Sequence, residues 1–425
     1  MTRRILALLF IAATAAPAAT VTRGPYLQNA TSHGIVVRWR TDVPTPGRVR
    51  FGTEMDALTQ SASDAAPTTE HEIAIDGLPP DAAFLYAIGD GTDDLAGPDN
   101  EHWFRTLPVA GTVQPVRVWV IGDCGTGGDG SGRAESVLAA YLGSPHFTHN
   151  DVWLMLGDNA YGVGSDEEYQ RAVFQTYDRL LPHTRLWSTI GNHEAITENG
   201  APYFNIFTHP RSGEAGGVAS GTEHYYSFDF ANIHFVCLDS MLSVRTAGSP
   251  MLTWLEADLA STTQKWIVAY WHHPPYSHGT HNSDTEIELV EMRENVVPIL
   301  EAHNVDLVLC GHSHGYERTF LLDGHYLVSS TLVESMKKDG GSGQITSPAP
   351  ATTGAYAKAA APHSGSVYVV AGNAGQTPFI SAPHPAMFTQ IAVLGSLILD
   401  VNGARLDARM IDNNGAIRDF FTIVK

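Results

Sequence analysis

Five short segments of the sequence carry carboxylate, amide, phenol or imidazole side chains, which are groups that bind metal ions in proteins. They are GDCG at 122–125, GDNAY at 157–161, GNHE at 191–194, HHPP at 272–275 and GHSH at 311–314. Each follows a run of apolar residues that favours a β-strand. Side chains that follow the strands of an open α/β sheet converge at the carboxyl ends of those strands. The pattern therefore predicts one metal site built from all five segments.

Each segment taken alone also has an ordinary structural explanation. Gly-Asp pairs are common at turns, an Asn-His pair is usually structural, and adjacent histidines often only form hydrogen bonds. Core packing does not explain why all five turns follow strand-like runs. Four of them begin with a glycine, at 122, 157, 191 and 311, where it lets the chain turn sharply. The joint order therefore favours metal binding.

The region that precedes these segments, residues 20–108, reads as an all-β module. Gly34–Arg40 alternates apolar and polar residues with period two, and His71–Ile75 and Phe84–Ile88 continue the pattern. The turn residues Gly77–Asp81 separate two of these runs. Short strands at such spacing are typical of a β-sandwich.

From residue 115 to residue 425, strand-like runs alternate with helical stretches, which is typical of an α/β layered domain. Four helices are predicted, over Ala134–Tyr141, Glu167–Leu181, Pro250–Ser261 and Thr285–His303. A capping box at Ser165 opens the second. A hairpin around 231–232 and later strands over 367–370 and 397–410 indicate a second sheet. The residues 336–365, rich in Gly, Ser, Ala, Pro and Thr, are expected to form a long surface loop.

With 43% hydrophobic and 16% charged residues, the composition is that of a globular protein. The length of 425 residues predicts about two domains. The net charge of −20 argues against nucleic acid as a partner, because binding to a phosphate backbone needs a basic surface. An anionic ligand would need a local source of positive charge, which a metal centre supplies.

The first 18 residues read as a secretory signal peptide. Arg3 and Arg4 precede the apolar run Ile5–Ala12 and the small residues Ala16–Ala18. The apolar run is too short to span a bilayer. We therefore expect a secreted or periplasmic protein with no membrane attachment after cleavage, and the two arginines suggest the twin-arginine route.

The sequence contains only three cysteines, which are too few for a disulfide scaffold in an exported protein of this size. Each lies in or beside an apolar run, so we interpret them as small buried side chains. The alternative is a disulfide between two of them, which are Cys124, Cys237 and Cys310.

Taken in order, the five segments resemble the purple acid phosphatases, a family within the calcineurin-like metallophosphoesterases. The matching motifs are Gly-Asp-x-Gly, Gly-Asp-x-x-Tyr, Gly-Asn-His-Glu, a strand ending in His, and Gly-His-x-His. The module at 20–108 resembles a fibronectin type III domain, with Phe84 where that fold often has a tyrosine. The resemblance implies an α/β sandwich of two β-sheets flanked by helices over residues 115–425, preceded by the β-sandwich.

The resemblance also implies a dinuclear centre of Fe³⁺ and a divalent ion, which would be Zn, Mn or Fe. Its ferric ion would bind Asp123, Tyr161 and His314. Its divalent ion would bind Asn192, His272 and His312, and Asp158 would bridge the two ions. Carboxylate and tyrosinate oxygens suit a trivalent ion, whereas imidazole and amide groups suit a divalent one.

Two of these assignments have an alternative. The family's fourth segment is Val-x-x-His, whereas this chain has Ala269 through His272, so His273 is the alternative ligand to His272. Tyr161 can instead be a packing residue, in which case the centre would hold two divalent ions.

The implied chemistry is hydrolysis of a phosphate ester by a metal-bound hydroxide. Two carboxylates, a tyrosinate and the hydroxide give four negative charges against five on the metals, so the centre stays positive. His193 is the candidate that protonates the leaving alkoxide, with Glu194 orienting its ring. His278 and His281 are candidates for contacts to phosphoryl oxygens, with a solvent-exposed role as the alternative.

We therefore expect an acid phosphatase that acts on small-molecule phosphate monoesters. One alternative is phosphodiesterase or phytase-like activity on the same centre, which the width of the pocket and the loop contacts would decide. Another is a non-catalytic surface binding protein with a degenerate phosphatase domain, against which the complete ligand set argues. No feature of the sequence specifies an oligomeric state.

Overall fold

The structure is a computed structural model that describes residues 19–144, 150–347, 352–376, 379 and 382–425. The predicted signal peptide at 1–18 lies outside the described residues. Within the described ranges, no helix combines the length and the apolar character needed to cross a membrane.

Residues 21–105 fold into antiparallel strands only. The strands are β1 Val21–Gln28, β2 Ile35–Gly52, β3 Gln60–Ile75, β4 Ala83–Gly89, β5 Asp94–Ala96 and β6 Trp103–Arg105. Strand β2 pairs with β1, β3 and β4, and β4 also pairs with β5 and β6. Ile35, Val37 and Trp39 are buried, as the alternation predicted. The all-β character of this region is confirmed.

The described residues from 116 onward build two seven-stranded sheets. The first has the order β17-β22-β21-β20-β7-β8-β9, and the second has the order β10-β11-β12-β13-β18-β14-β19. Their first members in the chain are β7 Val116–Ile121, β8 Val152–Met155, β9 Leu186–Ser188, β10 Tyr226–Phe230, β11 Ile233–Cys237, β12 Trp266–Trp271 and β13 Leu307–Cys310. The remaining members are β14 Tyr316–Thr319, β17 Tyr356–Ala357, β18 Val367–Ala371, β19 Met387–Ile391, β20 Gly395–Asn402, β21 Arg405–Asp412 and β22 Ile417–Val424. A separate small ladder joins β15 Leu321–Leu322 to β16 Lys337–Asp339.

The helices are short. They are α1 Arg133–Gly143, α2 Asp166–Tyr169, α3 Ala201–Ile206, α4 Pro250–Ser261, α5 Ile287–Glu291 and α6 Val297–Ala302. Wider π-helical turns follow α2 over Gln170–Gln175 and separate α5 from α6 over Met292–Val296. Single 3₁₀ turns lie at Glu194–Ile196, Glu198–Gly200, Ser329–Thr331 and Glu334–Met336.

The two sheets pack face to face, with helices on their outer sides. Val118 and Leu154 of the first sheet share one buried core with Val268 and Leu309 of the second. Val137 of α1 packs with Trp119 on the outer face of the first sheet. Leu255 of α4 and Leu300 of α6 pack on the outer face of the second. The predicted two-sheet sandwich is confirmed.

Two of the predicted helices differ in extent from the observed ones. The helix predicted over Glu167–Leu181 begins at the expected capping box but becomes π-helical at Gln170 and ends at Gln175. The helix predicted over Thr285–His303 is likewise interrupted by a π turn. A π turn holds more residues than an α turn, and here it buries three consecutive residues, 172–174, which a 3.6-residue period does not anticipate. The predicted hairpin at 231–232 and the helix Pro250–Ser261 are confirmed.

The N-terminal sheet is attached to the two-sheet part by a buried arginine. The guanidinium of Arg23 donates to both carboxylate oxygens of Asp166, at 2.9 and 3.0 Å, and to the side chain of Gln170. It also lies over the ring of Phe174, 4.6 Å from the ring centroid. Tyr26 adds a buried hydrogen bond from its hydroxyl to the carbonyl of Ile206. Arg23 thus holds the segment that begins at the capping box, and Tyr26 holds the end of α3.

All three cysteines are buried free thiols, as the favoured interpretation expected.

A buried histidine on β11 gives a pH-dependent prediction. Nδ1 of His234 lies 2.8 Å from Asp229 and Nε2 lies 2.8 Å from Asp258. Burial lowers the pKa of His234, but the two carboxylates outweigh that effect and raise it to about 9. A raised pKa adds stability that is complete below the unfolded value of about 6.5 and is lost as pH rises through about 9.

We predict that His234→Gln lowers the free energy of unfolding by about 3 kcal/mol at pH 6, and by much less near pH 10. Urea unfolding at the two pH values measures the difference. The control is His224→Gln, whose ring is half-exposed beside Asp239 and which should change stability by less than about 1 kcal/mol. An equal loss at both pH values for His234→Gln would contradict a charged imidazole.

Candidate metal centre

The five predicted segments lie at the carboxyl ends of parallel strands from both sheets. Asp123, Asp158 and Asn192 follow β7, β8 and β9, which are mutually parallel. His272 and His312 follow β12 and β13, which are parallel in the second sheet. Because the sheets face each other, the two sets of turns meet at one edge of the sandwich.

The turns approach so closely that none of the four predicted glycines has room for a side chain. A Cβ on Gly311 would lie 2.6 Å from Oδ2 of Asp123, and a Cβ on Gly157 would lie 2.6 Å from Nδ1 of His272. Three of the ligand-type residues themselves have positive φ: 56° at Asp123, 52° at Asp158 and 67° at His312. Such backbone strain in non-glycine residues clusters at functional sites.

One group of side chains surrounds the carboxylate of Asp123. The Tyr161 hydroxyl lies 3.1 Å from Oδ1 of Asp123, and Nε2 of His314 lies 3.6 Å from the same oxygen. The other oxygen, Oδ2, accepts a hydrogen bond from the backbone N–H of His312 at 2.8 Å. Asp123 is fully buried and Tyr161 nearly so.

A second group surrounds the side chain of Asn192. Its Oδ1 lies 3.0 Å from Nε2 of His272 and 3.0 Å from Nδ1 of His312, and those two nitrogens are 3.2 Å apart. Nδ1 of His272 donates to the carbonyl of Leu156 at 2.8 Å, which leaves the lone pair on Nε2. A second hydrogen bond that fixes the ring in this way is typical of a metal-binding histidine.

Asp158 lies between the two groups. Its Oδ1 is 3.4 Å from Nε2 of His272. Ligand atoms of Asp123, Asp158 and His272 all lie within 4.8 Å of one another. The seven side chains predicted from the sequence are therefore brought together, in two groups joined by one carboxylate.

The electrostatics of these residues fit a pair of cations. Burial raises the pKa of Asp123 well above its usual range and does the same for the phenol of Tyr161, which the Asp123 carboxylate raises further. A cation beside these oxygens would stabilise their charged forms and reverse both shifts. The converging oxygen and imidazole donors have the chemistry of a mixed trivalent and divalent site.

His193 lies beside the centre, but Glu194 does not orient its ring as predicted. Nδ1 of His193 lies 2.6 Å from the carbonyl oxygen of Gly162, and Nε2 lies 3.8 Å from Oδ2 of Asp158. The carboxylate of Glu194 is buried and accepts hydrogen bonds from backbone amides instead. The physical reason is that adjacent residues in the turn point in different directions, so the Gly162 carbonyl holds the ring.

The two later histidines have different surroundings. The ring of His281 stacks on that of His312, with centroids 3.7 Å apart, and its Nδ1 lies 2.7 Å from Glu286. His278 lies beside Asp284, at 3.6 Å, and against the buried ring of His384. The structure thus groups His281 with the centre and groups His278 with Asp284 and His384.

Glu286 is a residue at the site that the sequence did not reveal. One of its oxygens lies 2.7 Å from His281 and 3.4 Å from Nε2 of His312. Nothing in the spacing distinguishes it from Glu288 or Glu291, because its proximity depends on how the loop from residue 276 to 286 folds over β13.

Comparison with known proteins agrees with this geometry. The family model described as calcineurin-like phosphoesterase matches residues 116–316, which include all seven side chains. Residues 116–316 form a calcineurin-like phosphoesterase domain. The expected resemblance to purple acid phosphatases is also confirmed. The matched residues therefore include all five segments that build the candidate centre.

Among the relatives of the phosphoesterase domain are purple acid phosphatases of Arabidopsis thaliana. Purple acid phosphatase 15 is 28% identical over 59% of this chain and 49% of its own length, and purple acid phosphatase 22 is 31% identical over 58% of this chain and 53% of its own. The solved structure of a purple acid phosphatase from yellow lupin seeds aligns with a TM-score of 0.73 at 16% identity, covering 94% of this chain and 74% of that one. The chain spans about half to two thirds of the length of the first curated relatives, at 49, 57 and 65%.

The position of His273 allows the two candidate ligands of the fourth segment to be tested. His273 is held by Ser240, whose hydroxyl lies 2.9 Å from its Nδ1 and accepts from its backbone N–H at 3.0 Å. His273 does lie within 4.8 Å of His272 and His312. Only His272 faces both Asn192 and Asp158, however, which favours His272 as the ligand.

We predict that His272→Gln lowers the affinity for one of the bound metal ions by about 100-fold or more, whereas His273→Gln changes it by less than about 10-fold. Metal content after dialysis against a graded series of chelator concentrations measures both. Circular dichroism confirms that each variant is folded. Loss of metal from His273→Gln alone would reverse the assignment.

Proposed function

We propose that this chain hydrolyses phosphate esters, with monoesters preferred, at a dinuclear metal centre held by the seven side chains described above. The observation that carries the proposal is their division into two groups with Asp158 between them. Asp123, Tyr161 and His314 would hold Fe³⁺. Asn192, His272 and His312 would hold a divalent ion. The purple acid phosphatases named above support the assignment of this activity.

The overall charge of the chain makes the metal centre necessary for an anionic substrate. With a net charge of −20, the protein repels a phosphate ester at long range. When bound, the two cations supply the positive charge that attracts the phosphoryl group and lower the pKa of water enough to make it a nucleophile. The buried carboxylates and imidazoles hold those charges in fixed positions, so the substrate meets a preorganised site.

His193 is placed to manage the proton of the leaving group. The carbonyl of Gly162 accepts from Nδ1, so Nε2 faces the centre at 3.8 Å from Asp158. The side chain is 33% exposed, which leaves it accessible to a bound ester. With both ring nitrogens protonated, His193 can pass its Nε2 proton to the departing alkoxide and keep its Nδ1 proton on the Gly162 carbonyl, which is the usual contribution of a general acid.

His281 is placed to contact the phosphoryl group. Its Nδ1 is held by Glu286, and its ring lies on that of His312. When both ring nitrogens carry a proton, Nδ1 donates to Glu286 and Nε2 can donate to a phosphoryl oxygen. Glu286 would thereby orient His281. We do not propose the same phosphoryl contact for His278, which lies with Asp284 and His384.

The proposal extends to the organisation of the whole chain. Residues 20–108 would form the fibronectin type III-like module and residues 115–425 the catalytic domain. The order of basic, apolar and small residues in 1–18 favours a signal peptide, which would be removed when the protein is secreted or exported to the periplasm.

The test is to purify the protein with its metals and to measure metal content, visible spectrum and hydrolysis of monoesters against diesters. We expect about two metal ions per chain, a tyrosinate-to-iron absorption band and a higher kcat/KM for monoesters. Asp158→Asn should lower kcat/KM by about 100-fold or more. A metal-free preparation that hydrolyses esters at the full rate would contradict the proposal.

Two matched variants test the origin of the absorption band. Tyr161→Phe should remove the band because its phenol is the oxygen donor beside Asp123. Tyr86→Phe removes a buried phenol whose hydroxyl donates to the carbonyl of Pro182, away from the centre, and should leave the band unchanged. A colourless wild-type protein active with Mn²⁺ would favour two divalent ions and an unligated Tyr161.

A further inference from the structure

The carboxylate of Glu194 lies in a ring of backbone N–H groups under the candidate centre. Oε1 accepts from the amides of Asn159 and Ala160, at 2.7 and 3.0 Å. Oε2 accepts from the amides of Asp158 and Gly191, at 2.9 and 2.7 Å. The residue is fully buried. Both oxygens are therefore satisfied by main-chain donors alone.

Three of these donors are consecutive, at 158, 159 and 160, and together they form a nest, a backbone concavity that binds anions. The nest depends on the left-handed conformation of Asp158, whose φ is 52°. Residues other than glycine rarely adopt that backbone conformation unless neighbouring contacts stabilise it. The bound carboxylate supplies the support, because its two oxygens accept from all three successive N–H groups.

The same carboxylate joins the ends of two strands. The nest follows β8, whereas Gly191 follows β9 and directly precedes Asn192. The two turns are in tight contact, since a Cβ on Gly191 would lie 2.3 Å from Oδ1 of Asp158. Asp158 accepts in turn from the backbone N–H of His193 at 3.1 Å. The relative position of Asp158 and Asn192 thus depends on Glu194.

We propose that Glu194 is a positioning residue that sets the metal affinity of the centre by locking the Asp158 turn to the Asn192 turn. It makes no contact with the reacting atoms in this role. The inference rests on the dinuclear centre proposed above, with Asp158 as the shared ligand and Asn192 as a ligand of the divalent ion.

A glutamine at this position cannot replace the carboxylate. It keeps one oxygen, but its amide nitrogen would direct N–H groups at backbone N–H donors. Because each oxygen of Glu194 accepts from two backbone amides, two of the four donors would lose their acceptor.

The experiment measures Zn²⁺ binding to the metal-free full-length chain by competition with a chromophoric chelator. Glu194→Gln should weaken the binding by about 10- to 100-fold, the usual effect of losing a group that orients a ligand. The matched control is Glu301→Gln, since Glu301 is also buried and accepts from Gly324 N–H and from the hydroxyls of Tyr326 and Tyr368. It should lower the unfolding temperature but leave Zn²⁺ affinity unchanged.

The outcomes separate the inference from the proposed function. If the wild-type chain does not bind Zn²⁺, that result contradicts the proposed dinuclear centre itself. Wild-type affinity in a folded Glu194→Gln protein would overturn the positioning role and leave the centre intact. If Glu194→Gln does not fold, Glu194→Asp decides, because it keeps the charge but withdraws the carboxylate by one methylene. We expect Glu194→Asp to bind Zn²⁺ more weakly than wild type, and unchanged affinity would also overturn the inference.

Discussion

The structure of the site depends on burying two carboxylates within a few ångströms of each other. Asp123 and Asp158 are 0 and 2% exposed, and their oxygens lie within 4.8 Å together with His272. Anions at such range repel strongly where water is excluded, and burial itself disfavours their charged forms. Burial raises the pKa of both carboxyls, but His272 outweighs it at Asp158, whose pKa lies below its usual range, whereas the pKa of Asp123 stays well above it. Metal ions beside these oxygens would stabilise both charged forms, so the arrangement suits a metal centre.

The fold supplies this arrangement through the directions of its strands. Parallel strands in each sheet bring their carboxyl ends to one edge, and the packing of the two sheets sets that edge of one against that of the other. Where two of these turns come into close contact, a glycine lies at the point of contact, as at Gly157 and Gly311. The N-terminal strands contribute no ligand-type residue to the centre. They brace the segment after Ser165 through Arg23 instead.

The sequence predicted the parts of the site that have a local signature. In four of the five segments the first candidate ligand, such as Asp123 or Asn192, follows an apolar run and a glycine, so its place at a strand end could be inferred. The hairpin at 231–232 and the helix Pro250–Ser261 had equally local signals. Glu286 and the backbone partners of Glu194 could not be inferred, because they depend on loop paths and on which way a turn residue points. The π turn after Tyr169 could not be inferred, because a 3.6-residue period does not anticipate the burial of three consecutive residues at 172–174.

The most direct test of the dinuclear centre is anomalous X-ray diffraction from crystals of the full-length protein purified with its native metals. We expect two peaks, one beside Tyr161 and one beside Asn192, each within about 2.0–2.6 Å of an oxygen of Asp158. A single peak, or two peaks of which neither contacts Asp158, would contradict it.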